Sequence, residues 1–230
     1  MNIEELLKSD LHVHRGGTLT WAVDKDVARF LHHVISANQT TLETGVGLST
    51  VIFALCGSKH IAITPRQDEV DRIKEFCRDH AISTENVEFV VDSSDIALPK
   101  MDLPQLDLVL IDGGHGFPVP YIDWRYTATH LKVGGRMVID DCQLETGAVL
   151  RNFLRQEEAW VEEHDFFWRT SVFELKEPYE LKDWTDQPYV RARSRHRQFL
   201  TGLRKAFSLI RRGDFGALYR GVKKWLNAQT

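Results

Sequence analysis

Acidic side chains follow two of the apolar runs in this chain. Asp112 comes directly after Leu106–Ile111, and Asp140 and Asp141 come directly after Arg136–Ile139. If these runs are neighbouring parallel strands, right-handed crossovers bring their carboxyl ends to the same edge of the sheet, and the three carboxylates meet there. Clustered oxygen donors suit a hard divalent cation. We therefore predict a metal site formed by Asp112, Asp140 and Asp141.

A histidine lies three residues beyond the first of these acids. His115 has an intrinsic pKa of about 6.5, which suits a general base at neutral pH. A hydroxyl group beside a cation is easier to deprotonate, so the acids and the histidine could act on one substrate. We predict Asp112 and His115 as catalytic residues. The alternatives are a strand-end aspartate that caps the next turn and a surface histidine.

A glycine turn precedes these segments. The run Thr40–Glu43 leads into Gly45 and Gly47 and then into a helical pattern, so a ligand can approach the helix N-terminus without obstruction from a Cβ atom. A dinucleotide fingerprint would have a third glycine where Thr50 stands and a later acid where Thr64 stands. NAD and FAD are therefore disfavoured. Glu43, immediately before the turn, suits a ligand that carries an ammonium group.

Four segments in order resemble the class I S-adenosylmethionine (SAM)-dependent methyltransferases. They are Glu43–Thr50, Val90–Ser94, Leu106–His115 and Leu131–Asp141, and the last two are most similar to small-molecule and sugar O-methyltransferases of the catechol and macrolide type. The resemblance implies that the acids of the metal site bind magnesium. It also implies a SAM site built from Glu43, Gly45, Gly47, Ser49, Thr50, Thr64, Asp92, Ser93 and Asp112.

Within that resemblance, the two glycines line the methionine and ribose of SAM, Glu43 faces its amino-acid end, and Asp92 and Ser93 lie beside the adenine. The chain departs from the family at Thr64, where an acid usually holds both ribose hydroxyls. Either Thr64, Gln67 or Asp68 takes over this contact, or SAM binds loosely.

The function that follows is O-methyl transfer to a hydroxyl of a small molecule or sugar, including a lipid-linked or cell-envelope sugar, with assistance from a divalent metal. Two alternatives stay open: a non-catalytic SAM-binding protein, for which Thr64 is the main indication, and an NAD-dependent oxidoreductase. We expect no nucleic-acid substrate, because residues 1–190 hold 18 basic and 32 acidic side chains.

The elements that must position these residues alternate along the chain. Short β-branched runs alternate with helical patterns from about residue 40, which predicts an α/β fold: a Rossmann-like, doubly wound, mostly parallel sheet with helices on both faces. A hairpin is expected over Asp165–Lys176 and a helix over Glu145–Trp160. We predict a helical or lid segment at 1–39, a SAM-binding methyltransferase domain at 40–187 and a basic amphipathic helical tail at 188–230.

A second motif lies near the N-terminus. Asp10, His12 and His14 resemble the first metal motif of PHP-type phosphoesterases and amidohydrolases, because alternate residues of a strand point to one side. Such enzymes need a barrel with further ligands, whereas the strands here carry the methyltransferase pattern. The other interpretations of this region are a lid over the cofactor cleft formed by His12–Trp21 and a solvated connector.

The C-terminal tail is strongly basic. Residues 191–230 contain eleven Lys/Arg and one acid, Asp214, and apolar residues recur at helical spacing over 199–212 and 215–226, including Trp225 and Leu226. This pattern fits peripheral contact with an anionic membrane through 199–226, packing against the acidic body or a partner subunit of a homo-oligomer, or binding of another acidic partner. With no apolar run near 20 residues and no signal-peptide pattern, we expect a cytoplasmic protein, peripheral at the inner face of the membrane.

Overall fold

The computed structural model describes residues 1–19 and 22–227, with side chains described up to residue 223 in the last helix. Trp21 of the expected lid and the side chains of Trp225 and Leu226 in the expected tail lie outside the described residues. The chain divides into two compact units, Met1–Leu181 and Lys182–Thr230.

A seven-stranded sheet in the order β3-β2-β1-β4-β5-β7-β6 forms the centre of the first unit. Its strands are β1 Thr40–Thr44, β2 Lys59–Thr64, β3 Val87–Val91, β4 Leu106–Ile111, β5 Leu131–Ile139, β6 Trp160–Phe166 and β7 Thr170–Leu175. The first five are parallel, and β7 pairs antiparallel with both β5 and β6. The predicted fold class is confirmed, and the expected hairpin is β6–β7.

In the described part of the first unit, two α-helices precede β1, and the other α-helices lie between successive strands. The helices are α1 Ile3–Leu6, α2 Lys25–Val34, α3 Leu48–Cys56, α4 Gln67–Asp79, α5 Ser94–Ala97, α6 Val119–Thr127 and α7 Glu145–Leu154. The predicted helix Glu145–Trp160 is too long at its C-terminal end. Trp160 instead begins β6, where it is in register with Leu175, because pairing with β7 replaces the helical hydrogen bonds.

Apolar side chains are buried on both faces of the sheet. Leu108 and Leu110 of β4 belong to the core that contains α2, α3 and α4 residues, whereas the alternate residues Val109 and Ile111 are buried on the opposite face, where α6 contacts β4. Each fully buried aliphatic side chain stabilises the fold by roughly 1.5–3 kcal/mol. The carboxyl ends of the central strands are therefore held rigidly at one edge.

The second unit contains the predicted C-terminal helices. They are α8 Pro188–Arg211 and α9 Phe215–Asn227, separated at Gly213, which has a φ of +72°. The first of them begins at Pro188, seven residues after Leu181. Within the described part of the chain, no helix is both long enough and apolar enough to cross a membrane.

Candidate active site

A cavity of about 460 Å³ opens at the carboxyl edge of the parallel strands. Its volume is in the range of small-molecule and cofactor sites. The residues that follow β1, β2, β3, β4 and β5 all contribute to its wall, among them Gly45, Gly47, Ser49, Thr64, Glu69, Ser93, Ser94, Asp112, His115, Asp140 and Asp141. The fold thus brings together most of the predicted site residues.

The turn after β1 approaches β4 too closely for any side chain. Gly45 has a φ of +87°, and a Cβ atom added to it would lie 2.2 Å from the carbonyl oxygen of Asp112. A Cβ atom on Gly47 would meet His14 Nε2 at 3.4 Å. The first glycine is needed for the backbone turn itself, and the second keeps the space between the turn and the N-terminal segment open.

Glu43 supports this turn from inside the protein. Its side chain is 1% exposed, Ser49 Oγ donates to its Oε2 at 2.6 Å, and the Thr50 hydroxyl donates to Oε1. Thr50 Oγ1 also accepts the Gly47 amide at 2.9 Å, and His60 Nε2 lies 3.1 Å from Glu43 Oε1. Neither Glu43 nor Thr50 lines the cavity, whereas Ser49 does. Their contacts fix the shape of the glycine turn.

A buried acid that the sequence did not single out lies beside Thr64. Glu69 of α4 is 6% exposed and lines the cavity with Thr64, whose hydroxyl donates to Glu69 Oε2 at 3.2 Å. Glu69 Oε1 lies 3.1 Å from His14 Nδ1 and 3.3 Å from Arg66 Nε. Two neighbours that the sequence suggested for this position point elsewhere, since Gln67 bonds Asp71 and Asp68 bonds Arg72.

The periodicity of α4 contains the signal for this residue. Glu69, Ile73 and Cys77 recur at intervals of four, and the last two are fully buried. An acid on the buried stripe must find polar partners or a ligand. Asp68 is instead one position out of that stripe, on the side of the helix that carries Arg72.

The turn after β3 closes another side of the cavity. Ser93 and Ser94 line it, and the half-buried Asp92 does not. The Ser93 amide donates to Asp92 Oδ1 at 2.8 Å, so this carboxylate caps its own turn.

An acidic cluster lies at the ends of β4 and β5. Asp112, His115 and Asp141 each offer one ligand atom, and these atoms all lie within 4.8 Å of one another. His115 Nε2 is 2.9 Å from Asp141 Oδ2. Asp140, the third predicted ligand, lines the cavity but is outside this trio, and its Oδ1 accepts a hydrogen bond from Thr170.

The environment of the cluster shifts the pKa values of its members in opposite directions. Burial and the negative charges of Asp140 and Asp141 raise the pKa of Asp112 well above its usual value. The hydrogen bond between His115 and Asp141 raises the pKa of the histidine and lowers that of the carboxyl. The cluster therefore concentrates negative charge, with Arg169 Nε 3.8 Å from Asp141 Oδ1.

The N-terminal Asp-x-His-x-His motif is not assembled as a metal site. His12 Nδ1 lies 3.1 Å from Asp10 Oδ1, whereas His14 pairs with Glu69 and lines the cavity. Among the side chains described for residues 1–19 and 22–223, the Asp112–His115–Asp141 trio is the one group with metal-ligand geometry. Arg72 Nε donates to the Val13 carbonyl at 2.6 Å and so anchors the segment that carries His14.

Comparison with known proteins agrees with this architecture. Residues 42–142 match the family model described as a methyltransferase domain. No curated protein matches the chain.

Several solved structures share the fold at low sequence identity. The O-methyltransferase TomG from Streptomyces achromogenes, involved in tomaymycin synthesis and solved with SAM, has a TM-score of 0.61 and 15% identity over 75% of this chain and 90% of its own. A methyltransferase from Geobacter sulfurreducens has a TM-score of 0.60 and 14% identity over 75% of this chain and 89% of its own. An rRNA methylase from Streptococcus thermophilus has a TM-score of 0.51 and 17% identity over 66% of this chain and 96% of its own.

These neighbours differ in the substrates that their names state, so the shared fold does not select an acceptor. The family match runs from within β1 to just after β5. It therefore contains both the glycine turn and the acidic cluster. Residues 42–142 of this chain match a methyltransferase domain, and the sheet that they form has the fold of solved methyltransferases.

Proposed function

We propose that this protein transfers a methyl group from SAM to a hydroxyl group of a small molecule or sugar, with assistance from a divalent cation. The single observation that carries the proposal is the Asp112–His115–Asp141 trio in the wall of the cavity formed by the glycine turn. A methyl donor and a hydroxyl acceptor have to meet at such a place.

The residues of the cavity fit SAM. Gly45 and Gly47 give the backbone space for the ligand, and Glu43 and Thr50 hold that turn in place from behind. Thr64 and Glu69 offer a buried hydroxyl and a buried carboxylate to the ribose hydroxyls, and Ser93 and Ser94 offer hydroxyls at the adenine end. SAM supplies an electrophilic methyl group, and these residues orient it.

Glu69 takes over the contact that Thr64 leaves open. A carboxylate can accept one hydroxyl hydrogen bond on each of its two oxygens, whereas a threonine has a single side-chain oxygen. Its present partners, Thr64 and His14, hold it at the cavity wall. Because Glu69 is held in place at the ribose position, its contacts argue against loose binding of SAM. They also weaken the case for a protein that has lost turnover, which rested on Thr64.

The donor set at the strand ends fits a hard cation such as Mg²⁺. Two carboxylates converge with an imidazole, and burial beside Asp140 and Asp141 raises the pKa of Asp112, a repulsion that a cation would relieve. A divalent cation held by these residues would lower the pKa of the acceptor hydroxyl. Transfer forms the O–CH3 bond, breaks the S–CH3 bond of SAM to leave S-adenosylhomocysteine, and releases the hydroxyl proton to solvent. The ligands in this proposal are Asp112, Asp141 and His115.

Two predicted roles change in this proposal. The sequence assigned Asp140 to the metal and His115 to proton transfer. The contacts instead favour His115 as a metal ligand, because it belongs to the compact trio, whereas Asp140 is 4% exposed and accepts a hydrogen bond from Thr170. Asp140 is therefore left out of the proposed ligand set.

A metal-free mechanism is the second candidate. His115 Nε2 lies 2.9 Å from Asp141 Oδ2, the arrangement of a general base oriented by a carboxylate. In that mechanism His115 accepts the hydroxyl proton directly, as the sequence predicted.

Calorimetry of the full chain with SAM, S-adenosylhomocysteine (SAH) and NAD tests the cofactor. We expect SAM and SAH to bind and NAD not to bind. Binding of NAD alone would support the oxidoreductase, and SAM binding without turnover over a panel of phenolic and sugar hydroxyl acceptors would support the non-catalytic protein.

Magnesium titration of the SAH-bound protein tests the metal. We expect His115→Gln and Asp141→Asn to weaken magnesium binding, with Asp140→Asn as the matched control that leaves it nearly unchanged. Turnover that is indifferent to a chelator and abolished by His115→Gln would favour the metal-free mechanism.

A further inference from the structure

The unit Lys182–Thr230 presents apolar and basic side chains together on its surface. On α8, Phe199, Leu203, Phe207 and Ile210 recur at spacings of three and four and are 52%, 41%, 70% and 49% exposed. On α9, Phe215, Tyr219 and Val222 continue the pattern at 65%, 70% and 49% exposed. We call these seven side chains the apolar face.

The two helices pack against each other. Ala206, Leu209, Ala217 and Leu218 are only partly exposed, and Gly213 provides the turn between α8 and α9. Asp214 Oδ1 accepts the amide of Ala217 at 2.9 Å and caps α9. Phe199, Leu203 and Val222 line an open groove between the two helices, and the other four side chains of the apolar face lie outside that groove.

The cations around this face lack acidic partners within the tail. Residues 191–230 hold eleven Lys/Arg against one acid, and in the described part of 182–227 no Lys or Arg of 191–223 forms an ion pair. Arg204, Lys205, Arg211, Arg212 and Arg220 are all exposed. A concentrated positive charge of this kind attracts an anionic partner.

We propose that α8 and α9 bind an anionic lipid surface, with the apolar face inserted at the headgroup boundary and the Lys and Arg side chains on the lipid phosphates. Aromatic and aliphatic side chains on one face of a basic helix match the composition of interfacial membrane helices. Nucleic acid would use the charge and leave seven apolar side chains in water. A symmetric contact with a second copy would bring the basic residues of both chains together. This proposal is independent of the methyl-transfer activity.

Co-sedimentation of the full chain with vesicles tests it. We expect binding to phosphatidylcholine vesicles that contain phosphatidylglycerol, little binding to pure phosphatidylcholine, and release by high salt. Because each basic residue near an anionic surface contributes about fivefold to binding, the variant Arg211→Gln, Arg212→Gln, Arg220→Gln should bind about a hundredfold more weakly. Phe207→Ser with Phe215→Ser should also reduce binding at least tenfold.

Matched variants of the first unit serve as controls. Arg78→Gln with Lys100→Gln and Arg125→Gln removes the same charge, Val133→Ser with Val161→Ser removes exposed apolar side chains, and both should bind vesicles like the unchanged protein. Circular dichroism checks that the tail variants keep their helices. Absence of binding by the unchanged full chain, or equal binding by tail and control variants, would overturn the proposal. Two other results, each without vesicle binding, would also overturn the proposal. One is a dimer that dissociates in the phenylalanine variant, and the other is RNA binding that this variant retains.

Discussion

Substitution of Gly45 by alanine should damage cofactor binding far more than its size suggests. The residue has a φ of +87°, and the new Cβ atom would lie 2.2 Å from the Asp112 carbonyl oxygen and 2.9 Å from its carbonyl carbon. Those atoms are backbone, so β1 and β4 must separate at their carboxyl ends. The amide of Asp112, which donates to the Thr44 carbonyl at 3.0 Å, would lose its partner.

The magnitude follows from two contributions. A non-glycine residue in the left-handed region costs roughly 1–2 kcal/mol, and loss of a buried hydrogen bond adds about 1 kcal/mol. Gly57→Ala is the matched control, because Gly57 has a φ of +71° and its nearest neighbour, Ala37 Cβ, would lie 3.6 Å from the new methyl group. That variant carries the conformational cost alone.

Urea unfolding and calorimetry with SAH measure the two effects. We expect Gly57→Ala to lose about 1–2 kcal/mol of stability with unchanged SAH affinity. Gly45→Ala should lose about 1 kcal/mol more and bind SAH at least tenfold more weakly. If the two variants have the same stability and the same SAH affinity, the close approach of β1 to β4 does not shape the cofactor site.

Three further predictions concern Glu69, Asp141 and Asp123, a buried carboxyl of α6 outside the cavity wall. Glu69→Gln should weaken SAH binding about tenfold or more, because a charged acceptor on the ribose contributes about 1.5–3 kcal/mol. The control Asp68→Asn, on the exposed side of α4, should change SAH affinity less than about twofold. Equal effects of the two substitutions in calorimetry would show that Glu69 does not bind SAH. Asp141→Asn should weaken magnesium binding at least tenfold. The SAH affinity should be retained, because asparagine tolerates the φ of +51° at this position and the backbone can keep its conformation. Unchanged magnesium binding would contradict the proposed ligand set. Burial raises the pKa of Asp123 to about 6, so the folded protein binds this proton more tightly than the unfolded chain and loses stability as pH rises from about 4 to about 6. Asp123→Asn removes that loss, so its free energy of unfolding should rise by about 3 kcal/mol relative to that of the unchanged protein between pH 4 and pH 7. If urea unfolding gives parallel pH profiles for the two proteins, Asp123 does not titrate in this way.

The sequence predicted the residues whose positions follow from strand ends. Gly45 and Asp112 come directly after a strand and Asp141 two residues after one, and parallel pairing alone is enough to bring them to one edge. Chain order determines this kind of proximity, so the fold class and the cavity wall could be predicted before any side chain was placed.

Side-chain direction is what the sequence could not supply. Asp140 and Asp141 are adjacent, yet one turns to Thr170 and the other to His115, because Asp141 adopts a φ of +51°. Glu43 precedes the glycine turn as expected, but the hydroxyls of Ser49 and Thr50 draw its carboxylate inward. Glu69 was missed because strand-end reasoning stops at Thr64, although the buried stripe of α4 indicated it.

The helix predicted over Glu145–Trp160 failed for a similar reason. An apolar tryptophan at the end of a helical pattern suits a helix or a buried strand equally well by periodicity. Pairing between Trp160 and Leu175 is a long-range contact, and the local pattern does not contain it.

A crystal of the protein soaked with SAH and Mn²⁺, with anomalous scattering recorded, tests the central claim most directly. We predict SAH in the cavity at the glycine turn, with its ribose hydroxyls on Glu69, and an anomalous peak in contact with Asp112, His115 and Asp141. SAH bound at another place, or an ordered SAH in this cavity with no manganese within reach of the trio, would contradict metal-assisted methyl transfer at this site.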